Sequence, residues 1–221
     1  MKVSYVIPIF NHWKLINDLL CQIYDHSLPD EIIVVDDCST DQETVDGIKW
    51  WAENYDIIKI LRPEENQGFL KSSNYGVSQA TGDIVCLISS DVRVEDDLAK
   101  TVKEVIALDP KVLIGGVLYS HSTGWNDFEG RIFKYLEGWL LCFTKETWAD
   151  LGGFDERYAP SDYEDVCLST TAIQKGYSLI PLNNPKIKHM GGGTYGYDET
   201  RTARTTANRE KFRAKWLTTN S

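Results

Sequence analysis

The stretch Gly82-Asp83-Ile84-Val85-Cys86-Leu87-Ile88-Ser89-Ser90-Asp91 constrains this chain more than any other. Its five consecutive apolar residues, entered from a glycine and ended by two serines and an aspartate, predict a strand covered on both faces, as in the middle of a parallel sheet. In an open α/β sheet ligands bind outside the carboxyl ends of the strands, so Asp91 is expected at the edge where chemistry is done.

The rest of the first half repeats strand and helix. Residues 2–9 are β-rich, and Asn11 opens a segment with Leu15, Ile16, Leu19, Leu20 and Ile23 at helical spacing. The run Ile32 to Val35 stops at Asp36-Asp37-Cys38-Ser39-Thr40-Asp41, where Ser39 or Thr40 is expected to cap a helix carrying Val45, Ile48 and either Trp50 or Trp51. Ile57 to Leu61 predicts a third strand, followed by a helix from about Phe69 to Ala80. After the central strand, Glu95, Asp96 and Asp97 suit the N-terminal dipole of a helix carrying Leu98, Val102, Val105 and Ile106. Val112 to Leu118 reads as one more strand. Such alternation implies a mostly parallel sheet flanked by helices, with right-handed crossovers. Beyond it, residues 119–140 read as irregular, Glu164 to Lys175 as a helix ending at Gly176, Tyr177 to Leu182 and Lys186 to His189 as short strands, and Asn208 to Trp216 as a final helix.

Composition narrows the partners. A chain of 221 residues with a formal net charge of −10 suits a single domain without a nucleic-acid partner, since neutralising phosphates takes a basic surface. The charge is uneven: within residues 201–215, Arg201, Arg204, Arg209, Lys211, Arg213 and Lys215 face only Glu210, which leaves room for an anion. The five cysteines include no C-x-x-C pair and read as buried reduced thiols, and no apolar stretch approaches the roughly 20 residues that span a bilayer. The expectation is a soluble cytoplasmic protein, with peripheral membrane association through a partner left open.

Three strand ends carry polar groups: Pro8 to Asn11, Asp36-Asp37 and Ser89-Ser90-Asp91. Adjacent parallel strands would gather them into a pocket for a base and ribose and, through a metal, a diphosphate. A G-x-G-x-x-G loop and a Walker lysine are both missing, which weakens a dinucleotide or P-loop reading.

Taken in order, several motifs resemble the family-2 inverting glycosyltransferases with the GT-A fold, in particular a rhamnosyltransferase-like branch. They are residues 3–11, Val34 to Asp41, Asn66-Gln67-Gly68-Phe69 with Asn74 and Gly76, Ala80-Thr81-Gly82-Asp83 to Asp91, Gly152 to Glu156, Tyr163-Glu164-Asp165, His189 with Gly191-Gly192, and Lys215-Trp216. The resemblance implies one GT-A-like, Rossmann-like domain. Its nucleotide-sugar-binding half would be residues 1–118 and its acceptor-binding and catalytic-base half residues 119–221.

It implies that Asp36 and Asp37 contact the donor's base and ribose, with Pro8, Asn11, Gly68, Lys71, Ser89 and Ser90 lining the same pocket. Asp91 would be the main ligand of a manganese or magnesium ion that clamps the donor diphosphate, although Ser89 stands where relatives carry a first acid. His189 matches a histidine that completes the metal shell in some members. Asp165 would be the general base, because inversion by direct displacement needs one carboxylate to take the acceptor's proton, and Glu164 would bind the acceptor. Many relatives carry a further aspartate where Cys167 stands here. Trp125 and Trp139 offer ring faces for an acceptor sugar, and Arg201 or Arg204 could close over the diphosphate.

The implied reaction moves a sugar from a nucleoside-diphosphate donor to a hydroxyl of a polysaccharide, a lipid-linked glycan or a protein. A non-catalytic nucleotide-sugar-binding or glycan-binding module is the alternative, favoured by Ser89 and Cys167. A nucleotidyltransferase would want a glycine-rich basic loop after the first strand, which Pro8-Ile9-Phe10-Asn11-His12 does not provide.

Overall fold

A computed structural model describes residues 1–121, 133–191 and 199–217. Among these, the apolar runs form a seven-stranded sheet. β1 (Val3–Ile9), β2 (Glu31–Asp36), β3 (Ile58–Leu61) and β4 (Ile84–Ile88) are mutually parallel, in the spatial order β4-β1-β2-β3. Every residue of β1, β2 and β4 is buried, the apolar runs together with the polar Ser4, Glu31 and Asp36.

The second half completes the same sheet. β6 (Val112–Gly115) does not pair with β4, because β9 (Leu140–Thr144) lies between them, antiparallel to both, and β10 (Ser178–Pro181) extends the far edge parallel to β6. A strand therefore stands where the end of the irregular stretch was expected. The expected strand Val112 to Leu118 is also broken after Gly115, and β7 (Leu118–His121) pairs with β8 (Phe133–Leu136) as a separate ribbon. The reason is steric. A Cβ at Gly115 would lie 2.9 Å from the Leu136 side chain and one at Gly116 1.9 Å from the Trp139 ring, so the two glycines admit the turn that leads into β9.

Helices cover both faces. α1 (Trp13–His26) buries Ile16, Leu19, Leu20 and Ile23. α2 (Gln42–Asn54) buries Ile48 and Trp51, while Trp50 faces solvent. Its cap is Asp41, which accepts from the Glu43 N–H at 3.1 Å. Ser39 and Thr40 are otherwise engaged, because Asn11 accepts from the Thr40 N–H and itself donates its N–H to the Ser39 hydroxyl. On the opposite face, α3 (Gly68–Gln79) approaches so closely that a Cβ at Gly76 would fall 2.5 Å from Val6 and 2.6 Å from Val35. α4 (Leu98–Leu108) is capped by Asp97 alone of its three acids. α5 (Lys145–Leu151), α6 (Glu164–Gln174) and α7 (Glu199–Trp216) follow. α7 begins well before Asn208, because its first half carries arginine and threonine on the inward face and shows no apolar period.

Behind the sheet, Glu31 is 5% exposed and accepts from the Ser4 hydroxyl at 2.6 Å, the Thr81 N–H at 2.8 Å and the Lys59 ammonium at 2.6 Å. Burial alone would raise this carboxyl, but the three donors outweigh it and hold it at about 2. Glu31→Gln is expected to cost about 1–3 kcal/mol of unfolding free energy at pH 7. A depressed carboxylate stabilises above its unfolded pKa and loses that contribution as pH falls through its folded pKa. In urea titrations the gap between variant and wild type should therefore narrow between about pH 4.5 and pH 2.

Candidate active site

The carboxyl ends of β1 and β4 open into a cavity of about 330 Å³. Pro8 of β1 and Ser89 and Asp91 beyond β4 form part of its wall, together with the β8–β9 turn (Glu137, Gly138, Trp139), the Ser161–Tyr163 loop, the first turn of α6 (Glu164, Asp165), His189, and Arg201 and Thr205 of α7. Eight of the expected residues thus meet here: Pro8, Ser89, Asp91, Trp139, Glu164, Asp165, His189 and Arg201.

Asp91 is brought to its partner by β5 (Val92–Val94), which pairs antiparallel with β11 (Ile187–His189). Its carboxylate is 3% exposed and accepts from the Ser89 hydroxyl at 2.7 Å and lies 3.2 Å from His189 Nε2. Burial works against its ionisation, but the hydrogen bonds from His189 and Ser89 prevail and keep it below the usual carboxylate range. Among the described residues no group of three or more histidine, cysteine or acidic side chains could hold a metal by itself. Asp91 and His189 are a two-donor corner, which suits a hard divalent cation whose remaining ligands come from substrate phosphates and water.

The two carboxyls of α6 sit differently. Half-buried Asp165 accepts from the Gly138 N–H at 3.0 Å and the Val166 N–H at 2.7 Å. Burial raises its pKa to about 7, with the charges of Glu137 and Asp162 adding to the rise and the two N–H donors opposing it. Glu164 is 5% exposed, and its Oε2 has no hydrogen-bond partner among the described residues. Burial, then the neighbouring Asp165, push Glu164 well above the ordinary value, which favours its neutral form.

Other expected residues serve the walls rather than the cavity. Asp36 accepts from the Ser39 N–H at 2.9 Å and is paired with Arg62. Asp37 spends both oxygens on the Gln67 and Gly68 N–H groups at 2.8 and 2.7 Å. Asn11 ties the β1–α1 loop to the β2–α2 loop. Gly68, at φ 78°, lies where a Cβ would fall 2.5 Å from Pro160. Ser90 is buried beside the cavity without lining it, and Lys71 opens onto a separate outward hollow with Glu64, Glu65 and Glu156. Trp139, expected as a sugar platform, is 6% exposed, its ring stacks on that of His189 with centroids 5.4 Å apart, and its Nε1 donates to Glu137 at 2.8 Å. Trp125 lies outside the described residues. Arg204 donates to Asp162 at 3.0 Å, and Arg201 faces the same carboxylate at 3.4 Å.

Sequence reasoning missed Tyr135, Glu137 and Gly138, within residues 119–140 that read as irregular, and Ser161, in a stretch for which no element was expected. Asp162 and Tyr163 precede α6 with φ of 75° and 77°.

A mostly parallel sheet with this cavity at its carboxyl edge is the expected GT-A arrangement. The chain belongs to glycosyl transferase family 2, whose model matches residues 4–173. It is 28% identical to the glycosyltransferase GlyG of Streptococcus pneumoniae over 147 residues, covering 63% of this chain and 45% of GlyG. It is 33% identical over 104 residues to TarS of Staphylococcus aureus, a poly(ribitol-phosphate) β-N-acetylglucosaminyltransferase, covering 45% of this chain and 18% of TarS. The chain thus spans less than half the length of these curated relatives. Among solved structures, the mannosyltransferase PcManGT of Pyrobaculum calidifontis, in complex with GDP-Man and Mn²⁺, superposes with a TM-score of 0.65 at 25% identity, covering 81% of this chain and 54% of that one. S. aureus TarS 1–349 with UDP-GlcNAc gives 0.66 at 19% identity, covering 98% and 72%, a likeness of fold. Among the described residues no helix is long and apolar enough to cross a membrane.

The ionisation of Asp165 predicts a stability signature. An acid whose folded pKa is raised contributes stability that is complete below its unfolded pKa and is lost as pH rises through the folded value, here from 3.8 to about 7. Asp165→Asn is therefore expected to be more stable than wild type at pH 8, by on the order of 2 kcal/mol, with little gain at pH 4. Thermal unfolding at the two pH values checks this, and an equal gain at both would contradict it.

Proposed function

We propose that this chain transfers a sugar from a nucleoside-diphosphate donor to an acceptor hydroxyl with inversion of the anomeric carbon. The observation that carries the reading is Asp165, a carboxyl with a pKa of about 7 oriented by two backbone N–H groups in the cavity that also holds Asp91. A general base works best when its pKa lies near the operating pH.

In this mechanism Asp165 takes the acceptor's hydroxyl proton as that oxygen attacks the anomeric carbon from the side opposite the diphosphate. The bond from the anomeric carbon to the diphosphate oxygen breaks, and the nucleoside diphosphate leaves with the electron pair. Glu164, whose neutral form burial favours, would donate a hydrogen bond to a neighbouring acceptor oxygen. Asp91 and His189 would hold the divalent cation, which supplies charge neutralisation on the leaving diphosphate when bound. Family membership supports the donor class, as does the Mn²⁺ and GDP-Man complex of PcManGT, the more similar of the two superposed structures.

The alternative of a non-catalytic binding module draws on Ser89, which lines the cavity, and on Cys167. That residue is buried against Lys215, 3.3 Å away, and does not line the cavity, so the replacement removes no cavity carboxylate.

Asp165→Asn is expected to lower nucleoside diphosphate release by about 10²-fold or more while leaving nucleotide binding intact. Binding is read from thermal shifts with UDP, GDP and dTDP, since a ligand of the folded state raises its apparent stability. Retained turnover in the variant would remove the base assignment. In the same panel, stabilisation by one nucleotide is expected to grow with manganese in wild type and to lose that dependence in Asp91→Asn. A metal effect that survives the substitution would place the cation elsewhere.

A further inference from the structure

The inward face of α7 is polar where helices usually present apolar side chains. Arg201, Arg204, Thr205 and Asn208 fall at i, i+3, i+4 and i+7, on one stripe. All four converge on one short loop. Asp162 accepts from Arg204 Nε at 3.0 Å and the Thr205 hydroxyl at 3.0 Å, with Arg201 at 3.4 Å. Asn208, 1% exposed, directs its Nδ2 at the carbonyls of Tyr158, Ser161 and Asp162 at 2.9, 3.0 and 2.9 Å. Its Oδ1 accepts from Lys211 at 2.9 Å.

The loop so gripped contains Asp162 and Tyr163, two successive non-glycine residues in the left-handed region. That conformation is strained for a residue that carries a side chain and persists only where neighbours over-determine it. The next residues are Glu164 and Asp165. Below the loop, Phe212 and Trp216 continue the same face into the core beside Tyr163. α7 lies beyond the stretch matched by the family model.

We propose that α7 is the positioning element of the base: through Asn208 and Thr205, assisted by Arg201 and Arg204, it holds the Asp162–Tyr163 turn and thereby sets where the Asp165 carboxyl stands in the cavity. The inference rests on the reading of Asp165 as base. Asp165 is also faced by Tyr135 and Glu137 from the β8 side and by Glu164 and Tyr163 from its own segment. Loosening the clamp changes how those groups and solvent surround it.

The test uses Thr205→Val, which removes one hydroxyl without changing shape, and Asn208→Ala, each in the full chain. Folding is checked by thermal unfolding and by stabilisation with the nucleotide that stabilises wild type. The first readout is donor turnover, separated into kcat and KM. The second is the titration of Asp165, followed by carboxyl-carbon NMR with Asp165→Asn identifying the signal. Both variants are expected to keep donor KM within about twofold and to lose about tenfold in kcat, since a misplaced catalytic group costs rate rather than binding. The Asp165 midpoint should move down by more than about half a unit as water reaches it.

Wild-type kcat and an unmoved Asp165 midpoint in a destabilised Asn208→Ala protein would overturn the proposal and leave the clamp a matter of stability alone. If wild type itself released no nucleoside diphosphate, the base reading would fail. The titration would still decide whether α7 positions the carboxyl.

Discussion

The working edge of this molecule depends on a single carboxylate that never faces the cavity. Asp37, just beyond β2, accepts from the N–H groups of Gln67 and Gly68. Those are among the first N–H groups of α3, which the helix itself cannot satisfy. The junction fixes where α3 starts, and Gly68 then meets Pro160 so closely that no side chain fits between them. The Leu70 N–H donates to the Pro160 carbonyl at 3.0 Å, tying the loop that leads to Asp162, Tyr163 and the first turn of α6. Position is thus handed from a strand end in the first half of the chain to a helix start in the second, by hydrogen bonds between side chain and backbone.

That rigid frame lets one cavity hold two aspartates with opposite proton affinities. Asp91 receives two side-chain hydrogen bonds and stays ionised, suited to a cation or a diphosphate-bound metal. Asp165 receives two backbone hydrogen bonds but is raised by burial and by neighbouring acids, which suits proton exchange near neutrality. Divergence of paired carboxyls by environment is a common way of separating a base from an electrostatic stabiliser. The buried Glu164 Oε2, without a hydrogen-bond partner among the described residues, is costly for stability, and such a cost is expected where a ligand completes the hydrogen bonding.

Much of this was legible in the residues. The apolar runs gave β1, β2 and β4, and the serine and aspartate ending β4 marked the site edge, because a strand buried on both faces leaves an unmistakable pattern. The motif order pointed to Glu164, Asp165, Asp91 and His189, which the fold gathers at one cavity. What the sequence hid were contacts whose chemistry is ambiguous in one dimension. Asp36, Asp37, Asn11 and Gly68 have the residue types of ligand contacts, and the fold also engages them in satisfying backbone groups and admitting close packing. β9 was missed because Leu140 to Phe143 follows an aromatic stretch and has no alternation to separate it from a turn. The first half of α7 was missed for the opposite reason: its buried face is built of Arg201, Arg204, Thr205 and Asn208, and a helix that buries polar groups against a charged loop shows no hydrophobic period.

The most direct test of the account is the pH dependence of single-turnover nucleoside diphosphate release by the wild-type chain with donor and acceptor both saturating. The account predicts a rate that rises with pH through a midpoint at about 7 and levels off above it, following deprotonation of Asp165. A rate that is flat between about pH 5.5 and pH 8.5, or one that falls as pH rises through 7, would contradict Asp165 as the base and with it the function assigned to this cavity.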